Sequence, residues 1–574
     1  MIIFLKNIIA PVQIQRVCFN RINECSHTQK ALNMKPMSFD FNSRRSMVVA
    51  RRGMVAASNP LAAQAGLNIL RQGGNAADAA IAAAAVMNVT APAATGIGGD
   101  CFALYFDAST KKITALNGSG RAPADLSIDY LKQQGIEGEI PERSVHAVTI
   151  PGAAMGWYDL LQRHGTMTLA DVLVDGIYYA EEGFPVSPQF GASWRLPRVE
   201  QLLKDSPNTE DYLPGGRSPQ VGQMVKLPGL AQTFRAVAEG GPAAFYTGLV
   251  ADAIVETVQA QGGVMTHADL KAHTSTWGEP ISLDFHGIKV HEHPPNGQGL
   301  AALIAMSILR HDDLRGMAWD SPERIHLMVE AMRLAFADAR QYIADPHTNP
   351  APIEGLLSSV YASQRRSLID PGKAAHPSFG RPPNSSDTIY LCVVDGDGNG
   401  CSFINSLYMG FGSGIVAKGT GVFLQNRGAN FVLDDDHPNA LAGGKRPYHT
   451  IIPGLATKDG DLSATFGVMG GFMQPQGHLQ VISAMVADDL NPQEALDRPR
   501  WQVMYGEPGG VLAIEEGIPF KTMAQLADMG HQIRPVSGQA RGVFGSGQII
   551  RRNAATGVLF GGSDPRKDGL VAAW

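Results

Sequence analysis

Residues Asp387–Asp395 read DTIYLCVVD and run on into GDGNG, Gly396–Gly400. This places Thr388 directly after an acidic residue, at the head of the β-rich run Ile389, Tyr390, Leu391, Cys392, Val393 and Val394. Gly400 to Asn405 and Gly421 to Leu424 read as further strands, set off by glycine turns such as Asp397-Gly398-Asn399. On propensity alone, a threonine opening a strand is a β-branched residue packing on a sheet. The position also suits a nucleophile. If the backbone is cut between Asp387 and Thr388, Thr388 becomes an N-terminus carrying a hydroxyl and an α-amine in one residue. That amine, with an ordinary pKa of about 8, is partly neutral at pH 7 and can take the hydroxyl proton.

Ahead of this stretch the pattern is helical. Leu61–Leu70 and Ala76–Met87 read as alanine-rich helices, with Asn59-Pro60 as a start signal and Gly73-Gly74 as the break between them. Val89 to Gly99 reads as a turn-rich connection whose glycines let another backbone come close. Ser321-Pro322-Glu323 supplies an N-cap and a proline at the first helical position, and Ile325, Val329, Met332 and Phe336 then recur at helical spacing, a core-facing stripe.

The chain has 574 residues and is 44% hydrophobic, enough for a sizeable core, and length alone suggests about four domains. No Pro/Ser-rich or charged linker divides it. The net charge of -6 is spread out, with no basic stripe or interleaved aromatic platform, which argues against nucleic acid as a partner. Cys18, Cys25, Cys101, Cys392 and Cys401 lack CxxC spacing, so neither a zinc knuckle nor a disulfide framework is indicated. Met1–Val12 is apolar but holds Lys6 and Pro11, has no basic start, and is far too short to span a membrane. Arg16, Arg21 and Lys30 against Glu24 leave an organelle transit peptide as an alternative. The expectation is a leader or mis-assigned start over 1–36 and a cytoplasmic enzyme, with the periplasm second and no membrane association.

The Thr388 segment resembles the start of the small subunit in the γ-glutamyltransferase family of N-terminal nucleophile hydrolases, where a strand opens with threonine and ends in V-V-D-x-D-G-N. Thr388 stands seven residues before Asp395, as that pattern requires. The resemblance recurs in GMVAASNPLAAQAGLNILRQGGNAADAA from Gly53, TGIGGDCF from Thr95, and IHLMVEAMRLAFADARQYIADP from Ile325. It continues in GKRPYHTIIP from Gly444, MGG from Met469 and SDPRKDG near the C-terminus. It begins only after Met34 and Met37, either of which could be the true start. The resemblance implies one large globule, an α/β four-layer αββα sandwich. It is made by self-cleavage of a precursor into a large subunit, 37–387, and a small one, 388–574, forming an αβ pair open to further dimerisation.

Site residues follow from the same resemblance. Thr388 is the nucleophile and Asp387-Thr388 the cleavage site. Ser406 falls where the family has a hydroxyl that bonds the nucleophile, and Gly470 and Gly471 match the glycine pair whose amides hold the oxyanion. A serine on a polar strand face and a simple Gly-Gly turn are the plainer readings of these positions.

The acyl pocket departs from true γ-glutamyltransferases. Their R-E-x-A-P arginine for the α-carboxylate is replaced by serine in Ser119-Gly120-Arg121-Ala122-Pro123. Their N-N-Q-x-x-D-F, which binds the α-amine through Gln and Asp, reads here as Gln425-Asn426-Arg427-Gly428-Ala429-Asn430-Phe431. Tyr408 and the pair His449-Thr450 stand where the family has Asn and Ser-Ser. A pocket that loses Asp and gains Arg should reject an ammonium and take a carboxylate. The expected substrate is therefore a small amide with a carboxylate on its acyl part, as in the hydrolase-like branch that includes oxamate amidohydrolase and related acylases. The alternatives are a glutathione hydrolase/γ-glutamyltransferase rebuilt around Arg121 or Arg427, and an uncleaved pseudoenzyme. His291-Glu292-His293 looks like a metal pair, but on a strand the two histidines need a third ligand of matching geometry, and the Pro294-Pro295-Asn296-Gly297 that follows resembles a family loop without metal. Gly410–Gly414 does not follow a dinucleotide fingerprint. No metal or cofactor is expected.

Overall fold

The computed structural model describes residues 45–375, 387–504 and 510–574. The leader read over 1–36 and the segment just ahead of Asp387 lie outside the described residues. Asp387–Val394 is a strand whose side chains from Thr388 onward alternate between two buried faces. Ile389, Leu391 and Val393 enter one apolar cluster, while Tyr390, Cys392 and Val394 enter another. Burial on both faces explains why the stretch is a continuous apolar run instead of an apolar/polar alternation.

The strand is third in a seven-stranded antiparallel sheet, flanked by Met54–Ala57 and Gly400–Tyr408. Leu570–Ala573 closes one edge, and Asp100–Asp107, Lys112–Gly118 and Thr276–Gly278 continue the other side. A second seven-stranded sheet carries Asp461–Met469 at its centre, between Ser546–Arg552 and Gly454–Lys458. The two sheets meet through Phe102, Leu104, Tyr390 and Ile404 on one side and Leu455, Leu462 and Ile550 on the other.

Helices cover both outer faces. Pro60–Arg71, Ala76–Thr90 and Ala153–His164 lie over the first sheet, and Gly299–Leu309, Pro322–Tyr342 and Met473–Ala487 over the second. This is the four-layer αββα sandwich. Every residue of Ala76–Thr90 is buried, which its alanines permit because small side chains let the helix lie close against neighbours on all sides. Asn75 and Asp78 form its capping box.

Two boundaries lie three residues beyond the sequence expectation. The second helix runs on to Thr90, because Asn88 and Thr90 return their side-chain hydrogen bonds to the carbonyls of Ala84 and Val86 and so stay helical despite their polarity. The strand from Gly400 continues past Asn405 to Tyr408, where Ser406 pairs with Asp100 of the neighbouring strand. Among the described residues, no helix is long and apolar enough to cross a membrane.

Candidate active site

Period-two geometry turns Thr388 to the same face as Tyr390 and Cys392, and Ser406 to the same face as Ile404, towards the second sheet. Their hydroxyl oxygens lie 3.1 Å apart, in two fully buried residues. The register between the strands shifts at this point: Ile389 pairs with Asn405 but Asp387 with Tyr408, so Ser406 and Leu407 together stand opposite Thr388. Just past the bulge, Tyr408 adopts a φ of 79°, and its amide donates to Ser406 Oγ at 2.8 Å. A left-handed aromatic residue costs on the order of 1 kcal/mol, and here that hydrogen bond helps to hold it.

Arg427 opens a short 3-10 turn, Arg427–Asn430, and its guanidinium is fully buried. Nη1 donates to Thr450 Oγ1 at 2.6 Å and Nη2 to Ser406 Oγ at 3.3 Å, while the guanidinium carbon sits 4.2 Å from the centre of the Tyr408 ring. The Tyr408 hydroxyl donates to Asn430 Oδ1 at 2.8 Å. Nε of Arg427 and Nδ2 of Asn430 are buried without a hydrogen-bond partner. Burial pulls the Arg427 pKa down to about 10 against the favourable field of Asp100, so it remains a cation. Thr388, Ser406, Tyr408, Arg427, Asn430 and Thr450 thus form one connected group.

Asp100 belongs to this group and carries a signal that sequence reasoning passed over, a carboxylate inside the glycine-rich TGIGGDCF. It is fully buried, accepting from the Gly120 amide and Gln425 Nε2 at 2.8 Å each and from His449 Nε2 at 2.9 Å. His449 therefore joins the site through Asp100.

Gly470 and Gly471 follow the end of strand Asp461–Met469 and lead into helix Met473–Ala487, with φ of 127° and 60°. The turn stands at the positive end of that helix dipole. Gln298 ties it to the group above: its Nε2 donates to the carbonyls of both Gly471, at 2.8 Å, and Thr450, at 2.6 Å.

Two expected pocket residues bond partners outside the Thr388 group. Ser119 spends its hydroxyl on Asn117 Oδ1, at 2.7 Å, and on the side chain of Asn296. The Arg121 guanidinium donates to the Thr274 carbonyl and does not turn in to the hydroxyl pair. A different cation is buried beside them: Arg446 donates to the carbonyls of Ser119 and Thr274 and to Thr276 Oγ1. His291 bonds Thr457 and His293 bonds the Leu116 and Pro294 carbonyls, so the two rings serve different partners. A separate His326, Glu330 and His531 cluster has ligand atoms close enough for a metal. Its donors are already engaged, His326 with His531 and the Asp370 carbonyl, Glu330 with Arg333 and the Ala375 amide.

Comparison with known proteins agrees with the fold. The family model described as gamma-glutamyltranspeptidase matches residues 62–574. The glutathione hydrolase-like YwrD proenzyme of Bacillus subtilis is 38% identical, over 91% of this chain and 99% of its own length. The oxamate amidohydrolase proenzyme of Klebsiella pneumoniae is 33% identical, over 92% and 99%. Among solved structures, cephalosporin acylase from Bacillus halodurans superposes with a TM-score of 0.87 at 46% identity, over 94% of this chain and 99% of that one. With its αββα layers and a full-length match to these proenzymes, the chain belongs to the gamma-glutamyltranspeptidase family of enzymes acting on amide bonds.

Proposed function

We propose that this protein is a self-cleaving N-terminal threonine amidohydrolase that hydrolyses a small amide bearing a carboxylate on its acyl part, oxamate-like or a longer acyl amide. The observation that carries the substrate class is Arg427: a fully buried guanidinium whose hydrogen bonds go to hydroxyls, one of them on the Ser406 that bonds Thr388. A buried cation in this state gains most from an anion that supplies charge and hydrogen bonds together.

In the precursor, Thr388 Oγ1 attacks the Asp387 carbonyl carbon, the peptide C–N bond breaks, and an ester links the two residues. Water then hydrolyses the ester, leaving a carboxylate on Asp387 and a free amine on Thr388. The large subunit ends at Asp387 and the small one begins at Thr388. In the mature enzyme the amine takes the Thr388 hydroxyl proton as the oxygen attacks the substrate carbonyl. The Gly470 and Gly471 amides face the oxyanion, the leaving amine departs with a proton, and water releases the acyl group. Ser406 bonds the nucleophile and keeps it aimed.

The second reading, a glutathione hydrolase or γ-glutamyltransferase, is favoured by one specific feature, the buried carboxylate of Asp100, which offers the site an anion for a substrate ammonium. Mass spectrometry of the processed protein and steady-state kinetics on oxamate, a glutaryl anilide and γ-glutamyl-p-nitroanilide test the proposal. A higher kcat/KM for the γ-glutamyl compound overturns the substrate class, and active protein with an N-terminus other than Thr388 overturns the mechanism.

A further inference from the structure

Asp100 pairs with Ser406 across the sheet, and Ser406 stands opposite Thr388, so the three residues form a row over neighbouring strands. Asp100 accepts three N–H donors, from Gly120, Gln425 and His449. His449 Nδ1 in turn accepts the Ile451 amide at 3.3 Å, which fixes the ring proton on Nε2 and keeps the imidazole neutral. Arg427 feels the Asp100 charge, yet its own donors go to Thr450 and Ser406. Two opposite buried charges therefore stand near one another at the nucleophile without forming an ion pair.

We infer that Asp100, held by His449 and Gln425, is a specificity-determining residue: ionised, it offsets the charge of Arg427, and protonated, it frees the guanidinium to hold an anionic acyl group. The inference rests on the amidohydrolase reading above and deepens it. Burial carries the Asp100 pKa up to about 6, Arg427 and the hydrogen bonds only partly opposing that rise. The other groups facing Asp100 keep their charge between about pH 5 and pH 8. Burial holds His449 well below its ordinary range and His293 at about 4. The Cys101 thiol and Tyr246 phenol are pushed far up, and Arg427 and Arg446 stay cationic at about 10. The sign follows. Above about pH 6 the Asp100–Arg427 pair is neutral overall; below it the pair is positive, so preference for an anionic acyl group rises as the pH falls.

The experiment compares glutaryl-p-nitroanilide with valeryl-p-nitroanilide, its uncharged counterpart, on processed wild-type enzyme from about pH 5.3, where a glutaryl carboxylate is still ionised, to about pH 8. The ratio of their kcat/KM values cancels titration of the Thr388 amine, which serves both. That ratio should rise by about tenfold as the pH falls through about 6. Asp100→Asn should flatten it. Glu142, a half-buried carboxyl facing Tyr408 whose pKa burial also raises, is the control, and Glu142→Gln should keep the slope. The wild-type profile stands if Asp100→Asn does not fold. A flat wild-type ratio, a slope that survives Asp100→Asn, one lost in Glu142→Gln, or absence of glutaryl turnover at every pH overturns this inference alone; absence of oxamate turnover as well overturns the amidohydrolase reading with it.

Discussion

The carboxylate of Asp395 accepts the backbone amide of Ala76 at 3.0 Å, joining the far end of the nucleophile strand to the first residue of a helix more than three hundred residues away in sequence. Asp395 also accepts the amides of Asp397 and Asn399 and the side chain of Asn399. One buried side chain thus closes the turn after the strand and satisfies an orphan donor at a helix N-terminus. Asp395→Ala leaves these donors unpaired, and the loss should be about 2 to 3 kcal/mol of stability. A thermal melt of the purified variant checks this: the melting temperature should drop, while the fraction that folds still processes and turns over. An unchanged melt contradicts the role.

In the proposed mechanism, autocleavage depends on the Thr388 hydroxyl. Thr388→Ala should give a single intact chain without activity, because nothing attacks the Asp387 carbonyl. A denaturing gel separates one band from two, and mass spectrometry of the small fragment reads its first residue. Two bands from the alanine variant would move the cleavage chemistry elsewhere.

Gly471 sits at a φ of 60°, so Gly471→Ala asks a Cβ to occupy a left-handed backbone at about 1 kcal/mol. Any shift of the turn also moves the amides proposed to hold the oxyanion, and loss of one such donor typically costs about 3 kcal/mol in the barrier, roughly a hundredfold in rate. The variant should lower kcat far more than it raises KM. Normal kcat in a variant that folds and processes would place the oxyanion donors elsewhere.

The elements were legible because their signals are local: an apolar strand run, alanine-rich helices and a Ser-Pro helix start, whereas the αββα layering came through the family resemblance. Thr388, Ser406, Arg427 and Thr450 were also legible, through motif position, and they come together in space. Asp100 was not. Its meaning comes from a strand register and from Gln425 and His449, both more than three hundred residues away in sequence, and no local pattern encodes that meeting. Motif position also carried Arg121 and Ser119 to the pocket, and it did not foretell their partners: the Thr274 carbonyl holds Arg121, and Asn117 and Asn296 hold Ser119. Arg446 was in plain view within GKRPYHTIIP, but only the fold shows it buried against the Ser119 carbonyl.

On the proposed reading, Arg427 decides between substrate classes. A γ-glutamyl substrate brings an α-ammonium to a site that holds the buried Arg427 guanidinium, and the carboxylate beside it, Asp100, already accepts three donors. Placing that ammonium there without a free partner should cost on the order of several kcal/mol. A carboxylate on the acyl part meets the opposite situation, since Arg427 offers it charge and an unpaired Nε. Oxamate or a glutaryl amide should therefore be hydrolysed with a higher kcat/KM than γ-glutamyl-p-nitroanilide. Arg427→Gln keeps a donor for Thr450 or Ser406 but removes the cation. Losing a charge-assisted contact should lower kcat/KM for the anionic amide by about 2 kcal/mol, roughly thirtyfold, and narrow the gap between the two substrates. If the variant leaves the ratio unchanged, Arg427 is only a structural cation stacked on Tyr408, and a γ-glutamyl substrate that outpaces the anionic amides in the wild type selects the glutathione hydrolase reading.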